Sequence, residues 1–300
     1  WIAYLRLMKF SKFHLVYYSF YLRSLRLDEI ESFPEEIDLE FLQEYWLLSR
    51  KRELPALPDL ESFKESLLGS SDRHLITIFD ENYPKSFLDL ERPPLVFFAK
   101  GNLDLLHKDS ISIVGSRKLR DSVEEWAELH LFNFFQNYKP VVVSGAAFGV
   151  DKLAHKMALR CACSTIAILP CGFENLYPKS FSKIAEQILD SGGLLISEYL
   201  PHEEIRKHYF HERNRLIAAL SKLLFVMQAQ RRSGSLVTAN IARLMNREIV
   251  SLPGDPMDCH FWGSNDLIAD GAGFVRDRDD LVNFYFLCNP GTKKQTDLFL

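Results

Sequence analysis

The stretch VVVSGAAFGVDKLAH at residues 141–155 contains a complete structural unit. Three successive valines form a short β-branched run, which is typical of a buried strand. A turn rich in glycine, serine and alanine follows, and beyond it apolar residues recur at three- and four-residue spacing, which indicates a helix. The stretch therefore predicts a β-strand that leads through a tight turn into an α-helix.

The same alternation extends through residues 111–252. Apolar runs predict strands at 111–114, 141–143, 165–169, 194–196, 223–227 and 248–252. Helical spacing predicts helices at 121–136, 150–160, 181–190, 213–220 and 236–246. Apolar strands that alternate with helices favour a parallel sheet covered on both faces. The predicted fold class is therefore α/β, with a doubly wound, mainly parallel sheet.

Residues 1–72 have a different pattern. Aromatic and leucine positions such as Phe41, Tyr45 and Leu48 recur at helical spacing between short proline-containing breaks, which predicts a small helical domain. Two β-favouring runs, at 74–79 and 94–99, predict strands that lead into a second domain at 73–287. A segment rich in proline, glycine and lysine then predicts a flexible tail at 288–300.

The overall charge is mildly acidic, since 36 Lys plus Arg against 40 Asp plus Glu give a formal net charge of −4. This balance argues against a protein that coats nucleic acid by bulk attraction, so any basic groove has to be local. No apolar stretch is long enough to cross a bilayer, and Arg6, Lys9 and Lys12 interrupt the N-terminal segment before a signal-peptide core could form. We therefore expect a cytoplasmic protein with no membrane partner.

Metal and cofactor motifs are absent from the sequence. Five cysteines without a Cys-x-x-Cys pair predict neither a disulfide framework nor a zinc ribbon, and Cys259 with His260 is a weak metal candidate because companion ligands are missing. There is no Gly-x-Gly-x-x-Gly, and no acidic residue ends the second strand, which disfavours NAD. There is also no Gly-x-x-x-x-Gly-Lys-Ser/Thr loop of the usual ATPases. We expect no metal and no cofactor.

The loops after the predicted strands are rich in small and cationic residues. In a doubly wound sheet these loops share the carboxyl edge, where such folds bind ligands, and small residues with helix N-termini suit an anion. Glycine and serine also form plain turns and N-caps, but several such loops at one edge favour a phosphate site. The loop candidates are Gly115, Ser116, Arg117, Ser144, Gly145, Phe148, Gly149, Ser233, Gly234 and Ser235, and the nearby cations are Lys118, Lys179, Lys207, Arg213, Arg215, Arg231 and Arg232.

Aromatic side chains lie on or beside the same loops, namely Phe148, Tyr177, Phe181, Tyr209 and Phe210. Exposed rings stack on bases without reading sequence, for roughly 1–3 kcal/mol per base. Most of the 23 phenylalanines must fill the core. Phe148 and Phe210 adjoin the predicted phosphate loops and are the best stacking candidates.

A catalytic alternative starts from Ser144. Asp151 and His155 are four residues apart on one predicted helix near this serine, which gives the composition of a nucleophile set. Residues that follow a strand–helix turn are more often packing and capping groups. The sequence therefore favours binding over catalysis at this edge.

The order and spacing of short motifs between about residues 75 and 285 resemble those of the DNA-processing protein A (DprA/Smf) family. The motifs are ITIFDENYP (76–84), PPLVFFAKGN (93–102), IVGSR (113–117), SGAAFGVDKLAH (144–155), FHERNRLIAAL (210–220), SGSLVTA (233–239), LPG (252–254) and NDLIADGA (265–272). The resemblance implies an extended Rossmann-like fold behind a helical domain similar to a sterile alpha motif (SAM-like). It also implies a homodimer that binds single-stranded DNA and helps to load the RecA recombinase during natural transformation, without catalytic turnover.

The resemblance also implies roles for individual residues. Arg117 would grip backbone phosphate, and Ser144 and Gly145 would offer loop N–H groups. The Ser-Gly loop commonly carries arginine before its second glycine, whereas this chain has Phe148, so we expect weaker phosphate binding there or stacking in its place. The pocket would be lined by Arg213, Asn214 and Arg215, with Ser233, Gly234 and Ser235 as a helix-end anion contact and Lys179 and Lys207 as further cations.

Two other classes of function remain open. A Rossmann-type nucleotide-processing enzyme that cleaves nucleoside monophosphates at the glycosidic bond would need a Pro-Gly-Gly-x-Gly-Thr-x-x-Glu segment. The chain lacks this segment, so Glu198 or Asp151 would have to replace its acidic residue. A pure interaction scaffold is the third reading, and it predicts no DNA binding.

The last six residues, QTDLFL at 295–300, form a separate motif. They resemble the short Gln-x-x-Leu-Phe peptide by which bacterial proteins dock on the replication sliding clamp. Gln295, Leu298 and Phe299 would make the contact, with the preceding segment as a flexible stalk. A frayed terminus is the alternative, since Thr296 departs from the leucine usually preferred.

Overall fold

Among the described residues, the N-terminal part contains two helices and one small pair of strands. The computed structural model describes residues 9–11, 26–34, 36–51, 53 and 72–291. Its first elements are β1 (Lys9–Ser11), α1 (Leu27–Ser32), β2 (Glu36–Asp38) and α2 (Leu39–Arg50). The helical periodicity did not predict the antiparallel pairing of β1 with β2. The assignment of residues 1–72 as a SAM-like domain stays a prediction.

Side-chain contacts join the two N-terminal helices. The Glu29 carboxylate accepts hydrogen bonds from the Tyr45 hydroxyl at 2.6 Å and from the Arg50 guanidinium at 2.6 Å. Phe33 is buried and lies edge-on to Phe41 and Tyr45, with ring centres 5.4 and 4.7 Å apart. The predicted aromatic positions of this segment therefore do pack at helical spacing.

A nine-stranded sheet forms the centre of residues 72–291. Its strands are β3 (Arg73–Thr77), β4 (Val96–Gly101), β5 (Ser110–Gly115), β6 (Val141–Gly145), β7 (Thr165–Leu169), β8 (Leu194–Ser197), β9 (Leu223–Gln228), β10 (Glu248–Ser251) and β11 (Gly273–Phe274). The helices are α3 (Asp121–Trp126), α4 (Phe132–Tyr138), α5 (Val150–Arg160), α6 (Ser182–Asp190), α7 (Tyr209–Leu220), α8 (Gly234–Leu244), α9 (Trp262–Ala269) and α10 (Arg278–Cys288).

The strand order is β11-β10-β9-β5-β6-β7-β8-β4-β3. Every neighbouring pair from β11 to β8 is parallel, whereas β4 runs antiparallel to β8 and β3 runs antiparallel to β4. The prediction of a doubly wound, mainly parallel α/β sheet is confirmed. The two β-favouring runs at 74–79 and 94–99 correspond to β3 and β4, which form one edge of the sheet.

Helices cover both faces of the sheet. On one face Val114, Val143 and Leu224 pack in the same buried cluster as residues of α7 and α8. On the other face Ile113 and Phe225 pack with residues of α3, α4, α5 and α10. Strand neighbours point to opposite sides, so a strand covered on both faces is apolar at almost every position. This explains why the predicted strands read as continuous apolar runs.

Tertiary packing shifts several predicted boundaries. Helix α7 begins four residues before its predicted start, where buried Tyr209 stacks on Tyr199 with ring centres 3.9 Å apart. The predicted helix at 121–136 is divided by a π-helical turn at Ala127–Leu131. At the C-terminus α10 reaches Cys288 and Asn289 is buried, so packed structure extends past the predicted boundary at residue 287. The clamp-like motif at 295–300 lies outside the described residues.

The strand order reverses at β5. The chain first adds β6, β7 and β8 on one side of β5, and it then returns to place β9 on the other side. The loops after β5 and β9 therefore diverge, which opens a crevice at the carboxyl edge. Among the described residues, no helix combines the length and apolar character that a membrane span requires.

Candidate nucleic-acid interface

A cleft of about 490 Å³ lies at this reversal of strand order. The loops after β5 and β9 form two of its sides, and the first turns of α7 and α8 form the others. The residues that line it are Val114, Gly115, Ser116, Arg117, Lys118, Ala147, Asp151, Lys207, Phe210, His211, Arg213, Asn214, Ile217, Gln230, Arg232, Ser233, Gly234, Ser235 and Thr238. The structure thus brings together the loops that the sequence placed at one edge.

An arginine stacked on an aromatic ring forms one wall of the cleft. The exposed guanidinium of Arg117 lies over the Phe210 ring, 4.5 Å from the ring centre. Tyr177, which is 44% exposed, approaches the same ring edge-on at 6.1 Å. The wall therefore combines a cation with aromatic surface. The cation suits a phosphate, and the aromatic surface suits a base.

Hydrogen bonds to β9 and α5 hold the β5–α3 loop, which carries Arg117, in place. The Ser116 N–H donates to the Gln228 carbonyl oxygen at 2.8 Å, and the Ser116 carbonyl oxygen accepts from the Val150 N–H at 3.1 Å. The buried Gln228 amide donates to the Lys118 carbonyl oxygen and accepts from the Arg120 N–H, both at 3.1 Å. Gln228 was not among the predicted site residues, although a polar residue at the end of an apolar strand is a signal that could have identified it.

Gly149 is required where the β6–α5 loop passes the Arg117 loop. Its φ of +74° is in the region that favours glycine, and a Cβ there would collide with the Ser116 carbonyl oxygen and the Arg117 backbone. Gly149 does not line the cleft itself. It allows the close approach that sets the position of Arg117.

The first turn of α8 supplies the opposite wall. Ser233 has the extended backbone of an N-cap, but its hydroxyl is buried and has no hydrogen-bond partner among the described residues. Asn214 of α7 donates to the Gly234 carbonyl oxygen at 3.3 Å and so ties α7 to α8. Because helix N-termini carry partial positive charge, this unpartnered hydroxyl and the first N–H groups of α8 suit an anion.

Arg213 lies in the cleft floor and is only 3% exposed. Its Nη1 donates to the Ile168 carbonyl oxygen at 2.6 Å, and its Nη2 lies 3.9 Å from the Asp151 carboxylate. Burial raises the pKa of the Asp151 carboxyl, although Arg213 and the Ala147 N–H counteract this. Arg213 therefore lines the cleft as a buried residue, and its contact with a ligand stays a prediction. It fills the floor, where Gly145 leaves room for its guanidinium.

Six predicted site residues do not line the cleft. The buried Ser144 hydroxyl donates to the Ile113 carbonyl oxygen at 2.7 Å, inside the sheet. Arg215 pairs with Glu198 at 2.5 Å. Phe148 is 44% exposed on the β6–α5 loop. The others are Gly145, Gly149 and Lys179. Phe181 and Tyr209 are buried in the core, so they are not stacking candidates.

Ten predicted site residues do line the cleft. They are Gly115, Ser116, Arg117, Lys207, Phe210, Arg213, Asn214, Ser233, Gly234 and Ser235. Ser235 is buried, as Arg213 is, while Lys207 and Gly234 are exposed. Lys118 and Arg232 also face the cleft, whereas Arg231 pairs with Asp266 outside it.

The cleft is strongly cationic in an acidic chain. Five cationic side chains line it, and Asp151 is its one carboxylate. Arg117, Lys118, Lys207 and Arg232 form no ion pair with any residue of the described ranges. Unpaired cations around a concave surface focus positive potential there. The cleft is therefore built to accept an anionic ligand.

The catalytic alternative at Ser144 is wrong. The buried His155 ring bonds the Thr165 hydroxyl through Nδ1 at 2.8 Å and the Gly145 carbonyl oxygen through Nε2 at 2.9 Å. Neither ring nitrogen is available to take a proton from Ser144. Burial also lowers the pKa of His155 to about 4. The three residues are packing groups, not a nucleophile set.

In the structure Asp258 lies beside Cys259 and His260, the residues that the sequence indicates as a weak metal candidate. Asp258, Cys259 and His260 place their ligand atoms within 4.8 Å of one another. Both Asp258 oxygens are held by Arg120, at 2.8 and 3.0 Å, and one of them also contacts His260 Nδ1 at 2.8 Å. The Asp258 carboxylate is therefore already paired with the Arg120 guanidinium.

Comparison with known families identifies one match, which covers most of the chain. The model of the family described as DNA recombination-mediator protein A matches residues 74–286. Among individual proteins, the Streptococcus pneumoniae DNA processing protein DprA is 34% identical, over 73% of this chain and 80% of that protein. The Bacillus subtilis DNA processing protein DprA is 33% identical, over 76% and 75% respectively. Protein Smf of Escherichia coli K12 is 33% identical, over 82% and 66%.

Solved structures agree with this match. The X-ray structure of the S. pneumoniae protein superposes with a TM-score of 0.69 at 32% identity, covering 75% of this chain and 78% of that one. The structure of DNA processing protein A from Helicobacter pylori superposes with a TM-score of 0.62 at 30% identity, covering 70% and 94%. The latter structure describes a single-stranded DNA binding mode of the H. pylori protein.

Proposed function

The chain belongs to the DNA recombination-mediator protein A family, and from this premise we propose that its cleft binds single-stranded DNA. One observation carries the proposal: the Arg117 guanidinium, which has no ion-pair partner within the described ranges, lies on the Phe210 ring in a cationic cleft. Phosphates would contact Arg117, Lys118 and Arg232, together with the first turn of α8. Bases would stack on the aromatic wall.

The combination of cations and open rings favours a single strand over a duplex. Cations alone would bind the backbone of either form. Stacking on Phe210 and Tyr177 requires an unpaired base whose face is free, and in a duplex the neighbouring base pairs cover that face. The H. pylori relative, whose structure describes a single-stranded DNA binding mode, supports the same choice.

The proposed role is that of a mediator, not of an enzyme. The family description names recombination, and we propose that the chain, as a cytoplasmic homodimer, protects incoming single strands and loads RecA onto them during natural transformation. A glycosidase would have to use Asp151 or Glu198 as its acidic residue. Asp151 is buried beside Arg213 and Glu198 pairs with Arg215, which supports the role of a mediator. No activity on nucleoside monophosphates is expected.

Fluorescence anisotropy with labelled oligo-dT and a duplex of equal length tests the proposal. The single strand should bind more tightly, and its affinity should fall with rising salt, by a log–log slope of about 0.7 for each phosphate contact. Equal affinity for the two forms would contradict the stacking argument. Absence of binding to either would favour the interaction scaffold, and release of a base from AMP or CMP would favour the nucleotide-processing enzyme.

A further inference from the structure

A second arginine–aromatic pair is exposed next to the cleft. The Arg231 guanidinium lies over the Trp262 ring, 5.3 Å from its centre. Trp262 is 39% exposed, and the side chain of Arg231 is 62% exposed. This pair repeats the arrangement of Arg117 on Phe210, and it belongs to neither the cleft lining nor the core.

The pair lies next to the cleft, because Arg231 belongs to the β9–α8 loop and other residues of this loop line the cleft. Arg232 and Gln230 of that loop line the cleft, whereas Arg231, which lies between them in sequence, turns to Trp262. The Gly263 N–H donates to the Ala229 carbonyl oxygen at 2.9 Å, which fixes the start of α9 against the same loop. A DNA strand that leaves the cleft past Arg232 would therefore contact Trp262 next.

The Trp262 ring is held in a fixed orientation. Its Nε1–H donates to the Pro256 carbonyl oxygen at 2.8 Å. The loop below is braced by Asn265, which accepts from the Gly254 N–H at 3.1 Å and donates to the Gly254 carbonyl oxygen at 3.0 Å. A ring fixed before the ligand arrives loses little conformational entropy on stacking.

Local charge also allows a polynucleotide to approach. Asp266 receives Nε and Nη2 of Arg231 at 2.6 and 2.9 Å, and Asp258 is paired with Arg120. Asp266 and Asp258 are thus each matched by an arginine, whereas Asp255, which precedes Pro256, accepts the Met257 N–H at 2.8 Å. The Nη1 group of Arg231 has no hydrogen-bond acceptor within the described part of the chain and can contact a phosphate. Met257, which follows the Pro256 that accepts the Trp262 N–H, is an apolar residue that is 86% exposed.

We propose that Trp262 and Arg231 form a second stacking platform, which takes the nucleotides of a single strand that extends beyond the cleft. This inference rests on the proposed function. The platform would accept any base, because stacking uses the ring face and not its hydrogen-bonding edge. It would lengthen the binding site without changing how the cleft holds the first nucleotides.

Oligonucleotide length separates the platform from the cleft. Anisotropy is measured with oligo-dT of about five and about twenty nucleotides, chosen to fill the cleft alone or to extend past it. Trp262→Ala should weaken binding of the long strand by roughly five- to tenfold and leave the short strand unchanged. Trp262→Phe keeps an aromatic ring and should restore most of the loss. Arg231→Gln should lower the salt slope by about 0.7 for the long strand only.

Four results would overturn the platform. Wild-type affinity of Trp262→Ala for the long strand would show that the ring is not in the path. An equal loss for both lengths would show that the substitution acts by disturbing the cleft. If the unsubstituted chain bound the short strand and the long strand equally tightly, the proposed function would stand while the platform failed. Failure of the unsubstituted chain to bind either strand would remove the proposed function as well.

Discussion

At the scale of single residues, neighbouring arginines have different surroundings and therefore different roles. Arg213 is buried under the cleft, while Arg215, two positions later on the same helix, pairs with Glu198 away from it. Arg232 faces the cleft and Arg231 does not. A cationic residue in a family motif is therefore insufficient to assign a phosphate contact. Of the predicted arginines, Arg117 and Arg232 are both exposed and in the cleft, and Arg117 is the one that lies on an aromatic ring of the cleft wall.

Charge reversal at Arg117 tests this residue directly. Arg117→Glu should weaken oligo-dT binding by roughly tenfold or more and lower the salt slope by about 0.7, because one phosphate contact is lost and repulsion replaces it. Lys222→Glu is the matched control, since Lys222 is exposed just before β9, at the opposite edge of the sheet. Anisotropy at several salt concentrations measures both variants. Equal effects of the two reversals would show that only net charge matters.

Removal of the Phe210 ring tests stacking. Phe210→Ala should cost roughly 1–3 kcal/mol of binding free energy. The salt slope should stay unchanged, because no charge is removed. Phe79→Ala is the control, since Phe79 is 54% exposed and lies outside the cleft lining. A smaller slope in Phe210→Ala would instead mean that the ring acts by holding Arg117 in place. Phe148→Ala, measured alongside, should show a similar loss if the β6–α5 loop also contacts bases.

At the scale of elements, the loops that follow the strands form the site, and their backbones are held by contacts distant in sequence. The β5–α3 loop rests on Gln228 of β9 and on Val150 of α5. The strand and helix cores were predicted well, because a strand covered on both faces must be apolar and a helix must place apolar residues on one side. Helices α9 and α10 were missed: α9 has only eight residues, whereas α10 has eleven and buries Leu281, Val282, Tyr285 and Phe286 at helical spacing.

Substitution of Gly149 tests whether the close approach of two loops positions Arg117. Gly149→Ala combines a positive φ with a collision against the Ser116 carbonyl oxygen, so it should lower both the free energy of unfolding and DNA affinity. The control is Gly192→Ala, since Gly192 has the same φ of +74° but no atom within 4 Å of its added Cβ. It should cost about 1 kcal/mol of stability and no affinity. Urea denaturation and anisotropy provide the two measurements. Equal loss of affinity in both variants would contradict this role.

At the scale of the whole molecule, the formal net charge is −4, yet the cleft is cationic. Both hold because arginines outside the cleft are paired with carboxylates. Arg120, Arg160, Arg231 and Arg276 each meet a carboxylate on the surface. The four exposed cations of the cleft, Arg117, Lys118, Lys207 and Arg232, form no ion pair among the described residues, and only the buried Arg213 lies near a carboxylate. The site is therefore a property of the charge distribution over the folded surface, and composition could not reveal it.

Stability should depend on pH through the buried His155. Its pKa is lowered from 6.5 to about 4 by burial, so between these values the unfolded chain binds a proton that the folded chain does not. The free energy of unfolding should therefore be fully retained above pH 6.5 and should fall as the pH drops toward 4, by about 3 kcal/mol from this residue.

His155→Gln removes this titration and keeps an amide near the Gly145 carbonyl oxygen. Urea denaturation from pH 7.5 to 4 should give a shallower decline for the variant than for the unsubstituted chain. The slopes are compared and not the absolute stabilities, because the substitution also changes packing. Identical slopes in the two proteins would mean that His155 does not govern the acid sensitivity.

The sequence by itself determined the alternation of strands and helices, the mainly parallel sheet and the set of loops at its carboxyl edge. These follow from local periodicity and from the requirement that apolar faces be buried. Only the tertiary structure decided that β3 and β4 complete the sheet, that Ser144 and Arg215 lie outside the cleft lining while Arg213 is buried in its floor, and that Phe210 lies beneath Arg117. Burial and side-chain direction depend on contacts between residues far apart in the chain, and local spacing carries no information about them.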